Sequence, residues 1–487
     1  MPGTRIFRRR TKIVCTIGPA TSSMATLERL IMVGMNVSRF NLSHGTHAEH
    51  ERYIQSIRKI SRRLGVLVAI LIDLPGPKYR IGDLKGGTAE LKRGARVTLT
   101  IRQVEGDSGL LPVNLPTLSQ DVKAGDTVLL DDGAMRLKVL VVEGEEVKCR
   151  VIAGGTITKG RGLAVPGMKT SGPFITDSFK DHLSFCLEQK PDFIAVSFVS
   201  SVQDIEETRA LLHAGNVDIP LIAKIERGTA VNGFDAILAA SDGIMVARGD
   251  LGVDIPLEKI PMVQKSIIRR CNKAGKVVIT ATQMLESMIQ SASPTRAEVT
   301  DVANSIFDGT DAMMLSGETS IGKHPVQAVV TMDKIARETE KKLPYGSILA
   351  TRGKWIERQT DELISYSACY TAHSLGAAAI VAYTQSGSTP GRLAKYRPRV
   401  PILALTPCEE VCGKLMLHWG VYPLFIDSPS TVDELFSLAG RLSREVKIAK
   451  SGDLIIVTGG VPVGVAGSTN LLKVEKIGEA PQPTLVC

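Results

Sequence analysis

PLIAKIERGTAVNGFDAILAASDGIMVARGD, residues 220–250, holds two short apolar runs with a stretch of helical spacing between them. PLIAKIE (220–226) and GIMVARGD (243–250) are nearly continuous in apolar residues rather than alternating. Strands buried on both faces read this way, and parallel sheets are made of them. Each run breaks its pattern near its end, with Lys224 and Glu226 in the first and Arg248 and Asp250 in the second. A charge among apolar neighbours is costly unless it is paired. Where parallel strands alternate with helices in a barrel, functional groups collect at the C-terminal strand ends, and these charges stand there.

The same unit recurs on both sides. TKIVCTI (11–17), NVSRFNLS (36–43), LVAILID (67–73), DFIAVSF (192–198), KVVITAT (276–282) and AMMLSGE (312–318) read as further strands. Helical patterns such as SMATLERLIMVGM and SVQDIEETRALLHAG fill the gaps. Eight such units are what a (β/α)8 TIM barrel needs to close. The polar residues that end the runs are Arg39, Asn41 and Ser43, then Asp73, Ser197, Thr282, and finally Ser316 and Glu318.

One gap is too long for a crossover. From Asp73 to about Phe174 the pattern changes, and ARVTLTIRQVEG and TVLLDDGAMRLKVLVVEGEEVKCRVI alternate apolar with polar residues between glycine-rich turns. This predicts hairpins of an inserted small antiparallel barrel or sandwich that acts as a lid on the barrel mouth. After about residue 350, AAAIVAYT, VPILALT, VYPLFID, DLIIVTGG and LLKVEKI alternate with helical stretches and predict an open α/β domain. The expected division is 1–73 with 171–348 for the barrel, 74–170 for the β-barrel insertion and 349–487 for the last domain.

Composition bounds the function. A chain of 487 residues with 44% apolar and 22% charged residues is a folded protein of several domains. No apolar run is long enough to cross a membrane, and no signal-like segment precedes the first strand. Eight scattered cysteines without CxxC spacing predict neither disulfides nor a zinc ribbon and fit a reducing cytoplasm. A net charge of +9 suits anionic small molecules, while 4% aromatic residues disfavour a nucleic-acid platform. HGTHAEH (44–50) lacks HExxH spacing and reads as a helix entry or a nucleotide contact.

Lys224 and Glu226 are two apart and share one strand face. With Asp250 from the neighbouring unit, Glu226 makes a pair of carboxylates suited to Mg²⁺ or Mn²⁺. Lys224 offers a fixed positive charge to a developing oxyanion. Taken by itself, the Lys224–Glu226 pair reads first as a buried salt bridge. In the last domain, Thr384, Ser386, Gly387, Ser388 and Thr389 lie between a strand and a helix, and read either as a phosphate cradle or as a capped turn. GGVPVGVAGSTN (459–470) is a second glycine-rich loop placed to complete such a site.

IAKIERGTAVNGFDAILAASDGIMVARGDLGVDIP, ITATQMLESMIQSASPTRAEVTDVANSIFDGTDAMMLSGET, NVSRFNLSHG and KIVCTIGPAT together resemble the pyruvate kinase family, over nearly the whole chain. The resemblance implies transfer of the phosphoryl group of phosphoenolpyruvate to ADP, giving ATP and pyruvate, in a cytoplasmic homotetramer. It implies that Glu226 and Asp250 hold the divalent metal, and that a second metal ion arrives with ADP. It implies that Lys224 stabilises the transferring phosphoryl and the enolate oxygen, that Arg39 clamps the phosphoryl, and that Gly249 and Asp250 N–H groups take the substrate carboxylate. Thr282 is implied to lie near the methylene carbon. Asn41, Ser43, His44 and Arg80 are implied to lie near nucleotide and phosphoryl oxygens, and Arg161 stands where the family usually has a nucleotide-contacting lysine. The last domain matches the family's C-terminal effector domain, and for the loop Thr384–Thr389 a sugar phosphate, AMP or no effector all stay open.

One departure is informative. Potassium-requiring members read like DTKGPEIRTG, whereas this chain reads DLPGPKYRIG (73–82). Lys78 replaces a glutamate, and members with lysine there are the potassium-independent ones. A lysine ammonium is a compact fixed cation, so the expectation is that Lys78 replaces the potassium ion, surrounded by all or part of Asn41, Ser43 and Asp73. A metal-dependent aldolase or lyase on the same barrel is the competing enzyme class, and a phosphometabolite sensor the competing non-catalytic one; ADP-dependent pyruvate formation separates them from a kinase.

Overall fold

A computed structural model describes residues 9–114, 116–168, 171–462 and 469–478. Eight parallel strands close into a barrel in chain order: β1 Lys12–Thr16, β2 Val37–Asn41, β3 Ala69–Leu74, β4 Phe193–Val196, β5 Leu221–Ile225, β6 Gly243–Ala247, β7 Val277–Ala281 and β8 Ala312–Leu315. Every one of these strands is buried from end to end save at Asn41, which is why their sequences do not alternate. The alternation is between two kinds of interior. Ile13, Phe40, Ile72, Val196, Ile225 and Val246 point outward under the helices. Val14, Val37, Leu71, Ile222, Met245 and Ile279 fill the barrel lumen.

Local signals set the helices. Thr46 and Glu49 form a reciprocal cap at the start of the helix His47–Leu64, and Gly65 ends it at φ 64°. The insertion between β3 and β4 is a seven-stranded half-barrel sheet with a two-stranded companion. Its strand burial alternates as its sequence does, for example along Met135–Glu143. Among its described strands the pairing is antiparallel except between Arg96–Thr100 and Leu110–Pro112. The last domain is a five-stranded sheet of β9 Ala379–Tyr383, β10 Ile402–Thr406, β11 Val421–Phe425, β12 Leu454–Gly460 and β13 Thr469–Lys476, in the order β11-β10-β9-β12-β13, with only β13 antiparallel. Among the described residues no helix is long and apolar enough to cross a membrane.

The last domain docks on the N-terminal end of the barrel. Met416 and Leu417 join the apolar residues of the barrel lumen. Beside them Arg397 is nearly fully buried and donates to Asp311 Oδ1 at 2.7 Å, Asn272 Oδ1 at 2.9 Å and Gly309 O at 2.6 Å. Asp311 also accepts from the Val278 and Trp419 N–H groups. Removing one partner of a buried ion pair strands the other charge. The R397M variant is therefore expected to lose about 3–5 kcal/mol of stability. R441A, which breaks the exposed Arg441–Glu445 pair, is expected to stay within about 0.5 kcal/mol of the parent. Thermal or denaturant unfolding of the two variants checks the contrast.

Candidate active site

The inward positions of the lumen change character at the C-terminal end. Along β3 the series Ala69, Leu71 is continued by Asp73; along β5 Ile222 is continued by Lys224 and Glu226; after β4 Ala195 is continued by Ser197. Period-two alternation thus carries the polar groups into the barrel mouth. There Lys224 Nζ lies 2.7 Å from Ser197 Oγ, 2.9 Å from Glu226 Oε1 and 3.2 Å from Asp73 Oδ1. Arg39, from β2, donates through Nε to Asp73 Oδ2 at 2.8 Å and through Nη1 to Thr16 Oγ1 at 3.0 Å.

Charge states follow from this wiring. Burial alone would push the Asp73 carboxyl up, but Lys224 and Arg39 outweigh it and hold it below the usual carboxylate range. Burial likewise opposes the Lys224 ammonium, and Asp73 with Glu226 holds it above the ordinary lysine range. Glu226 is pushed up, by burial first and then by the neighbouring Asp250 charge, although Lys224 pulls the other way. A buried carboxyl beside a second carboxylate is the electrostatic deficit that a divalent cation removes, and both groups offer the hard oxygen donors that Mg²⁺ and Mn²⁺ select. The donor set fits such an ion.

Asp250 does not sit on a strand end as its place in the run suggests. β6 stops at Ala247, and Arg248–Asp254 is a short helix whose first turn holds Asp250. Glu226 and Asp250 line one cavity with Lys78, Arg227 and Asp254. Above it a cleft of about 850 Å³ opens between the half-barrel and the barrel mouth, lined by Lys78, Asp132, Arg136, Gly249, Asp250 and Gln283 among others.

Lys78 corrects an expectation. Its ammonium is not held by Asn41, Ser43 or Asp73. It lies 2.7 Å from Asp250 Oδ1 and over the Phe198 ring at 5.3 Å. Asp73 is already held by Arg39 and Lys224, and Asn41 Oδ1 accepts the Ser43 N–H at 3.2 Å. The chain reaches this place through Gly76, where a Cβ would come within 2.1 Å of Ser197 O. Gly249 N–H is likewise engaged, donating to Thr282 Oγ1 at 2.8 Å. Thr282 itself holds φ 66°, a costly backbone for a β-branched residue.

The nucleotide candidates divide. Partial desolvation first, and then the positive charges of Arg80, Arg39 and Lys78, lower the pKa of His44, so His44 and Arg80 share one electrostatic neighbourhood. Arg161 pairs with Asp131 at 3.2 Å. Arg248 is an anchor, donating to Thr282 O at 2.7 Å and pairing with Asp301 at 2.6 Å. Glu318 is also structural, accepting from the Leu285 and Ser316 N–H groups. In the last domain Thr384 Oγ1 accepts the Gly387 N–H at 2.9 Å, Ser386 and Ser388 hydroxyls lie 3.2 Å apart, and Thr389 is turned inward onto Thr469 at 2.6 Å. Arg392 pairs with Asp361 at 2.6 Å. Half of the second glycine-rich loop, 463–468, lies outside the described residues.

Sequence reasoning missed Asp254 and Phe198. Asp254 accepts the Gly228 N–H at 2.5 Å and, at 3.2 Å, the Gly167 N–H of the insertion, so it ties the insertion to the barrel. Its spacing of four from Asp250 on a helix was the available signal. Phe198, at φ 57°, donates its N–H to Glu226 Oε2 at 2.6 Å and lies under both Lys78 and Arg227. No sequence signal marked it.

The family model "Pyruvate kinase, barrel domain" matches residues 8–329, and "Pyruvate kinase, alpha/beta domain" matches 362–475. The chain is 47% identical over 476 residues to the pyruvate kinase of Geobacillus stearothermophilus and 46% identical over 475 residues to that of Sporosarcina psychrophila, covering 97% of this chain and 81% of each relative. The crystal structure of a pyruvate kinase from Cryptosporidium parvum superposes with a TM-score of 0.91 at 38% identity, over 96% of both chains. A barrel, a half-barrel inserted after its third strand and a final α/β domain recur in that order along almost the full length, and the chain belongs to the pyruvate kinase family of phosphotransferases.

Proposed function

We propose that the protein transfers the phosphoryl group of phosphoenolpyruvate to ADP, forming ATP and pyruvate. The observation that carries this reading is the Lys224 ammonium, wired to Asp73, Ser197 and Glu226 at the barrel mouth, with Asp250 on the same cavity. Glu226 and Asp250 would hold a Mg²⁺ or Mn²⁺ ion, which when bound neutralises charge on the phosphoryl and enolate oxygens. Lys224 is kept charged by its carboxylate neighbours and presents a preorganised cation to the migrating phosphoryl group. Arg39, fixed by Asp73 and Thr16, aims its guanidinium at the same group. Thr282, Gly249 and Asp250 would orient the carboxylate and methylene ends of the substrate. Asn41, Ser43, His44 and Arg80 would line the nucleotide side, with Arg161 farther out on the insertion. The half-barrel, bonded to Asp254, would keep water from the cleft once the substrates fill it.

Two finer readings belong with this one. Lys78 supplies the positive charge that a potassium ion gives in other members, acting from Asp250 rather than from the Asn41–Ser43–Asp73 side. The hydroxyls of Ser386 and Ser388, exposed or half-exposed at the start of the helix Ser388–Lys395, would receive the phosphate of an effector such as a sugar phosphate or AMP in a cytoplasmic homotetramer.

A coupled assay for pyruvate from phosphoenolpyruvate decides between a kinase and an aldolase or lyase: product must require ADP, must stop on chelation of divalent ions, and must return with Mg²⁺ or Mn²⁺. The K224Q variant is expected to lose on the order of a hundred- to a thousandfold in kcat with its circular dichroism unchanged; a rate within threefold of the parent overturns the role given to Lys224. With tetramethylammonium as the only monovalent cation the parent should keep its full rate. A collapse restored by KCl would contradict the reading of Lys78.

A further inference from the structure

His47 opens the helix His47–Leu64, directly after the loop that carries Ser43 and His44. His182 lies on the helix Asp177–Gln189, which the chain enters as it returns from the insertion. Their rings meet edge-on, with His47 Nε2 and His182 Nδ1 2.8 Å apart. The His47 ring is stacked on buried Phe185, with centroids 4.4 Å apart and planes 7° from parallel, so its orientation is fixed by packing. The Asp181 carboxylate completes the group: one ligand atom from each of the three residues lies within 4.8 Å of the others. His50, one turn along, is committed elsewhere through a 2.7 Å bond to His44 O.

We propose that His47, Asp181 and His182 form a site for one borderline divalent transition ion of the Zn²⁺ class. Two imidazole nitrogens and a carboxylate are three of the four ligands of an open zinc site, and water takes the fourth position. Zinc–nitrogen bonds of about 2.0–2.1 Å in a tetrahedral set place the nitrogens about 3.3 Å apart, so the nitrogens must part by about half an ångström and both rings, which now point at each other, must turn toward the ion. The ion takes the place of the proton shared between the rings. That proton moves to the far nitrogen of its own ring, so two neutral imidazoles bind with no net proton released. Imidazole donors favour zinc, nickel or copper over magnesium, so the hard-ion carboxylates at the barrel mouth and this site draw on different ions. Occupancy would clip the helix behind the Ser43–His44 loop to the helix at which the lid rejoins the barrel.

Equilibrium dialysis of the full chain against Zn²⁺, with Mg²⁺ in excess, followed by metal analysis, tests the site. One ion per chain is expected. H47A and H182A should each weaken binding on the order of a hundredfold or more, since even the groups that only orient a metal ligand carry about 10–100-fold. H213A, an exposed histidine on another helix, should bind as the parent does. Co²⁺ substituted for Zn²⁺ should give visible absorption that H182A removes. All three variants should keep the Mg²⁺-supported rate, which shows that they fold. Absence of stoichiometric binding by the parent, or unaltered affinity in H182A, would overturn the proposal.

Discussion

Asp73 is the buried charge on which the barrel mouth is organised. Its two oxygens divide between two cations from different strands, Oδ1 toward Lys224 and Oδ2 toward Arg39, while Ser197 also donates to Oδ1 at 2.9 Å. A carboxylate fully removed from water is stable only when its partners are held in place. Here the partners are held by a closed ring of hydrogen-bonded strands, which cannot slip without turning the lumen residues outward. The demand runs both ways. The same carboxylate that needs two cations also fixes the position of both and helps to keep Lys224 charged.

The second half of the site is built on softer supports. Asp250 lies in the first turn of a seven-residue helix, and Lys78 approaches it from a segment that has just left β3. Asp254 then grips the insertion at Gly167. One wall of the cavity is therefore a barrel strand and the other a short helix bonded to the insertion. That division suits a reaction in which a fixed cation meets ligands that arrive with the substrates.

Much of this was legible in the sequence for a simple reason. A strand buried on both faces has no ordinary place for a charge, so Arg39, Asp73, Lys224 and Glu226 announced themselves by interrupting apolar runs. Asp250 was found by the same logic but assigned to the wrong element, because a short helix directly after a strand leaves no periodicity to read. Lys78 was recognised by type and misplaced in space: four methylenes let its ammonium reach either side of the mouth, and spacing along the chain does not choose. Arg248 and Glu318 looked functional because a buried charge that braces backbone and one that meets a substrate carry the same signature. The loop 384–389 could be read as rich in hydroxyls, yet not the inward turn of Thr389, which depends on Thr469, 80 residues away.

Met416 and Leu417 have a consequence for how the molecule can be divided. They sit in the short segment just after the helix Glu409–Lys414 and complete the apolar filling of the barrel from below. The last domain is thus also the stopper of the barrel. Cutting the chain between them would leave the lumen open to water at its base and two aliphatic plugs bare on the other fragment, so this barrel is not a module that evolution or a designer can lift out whole.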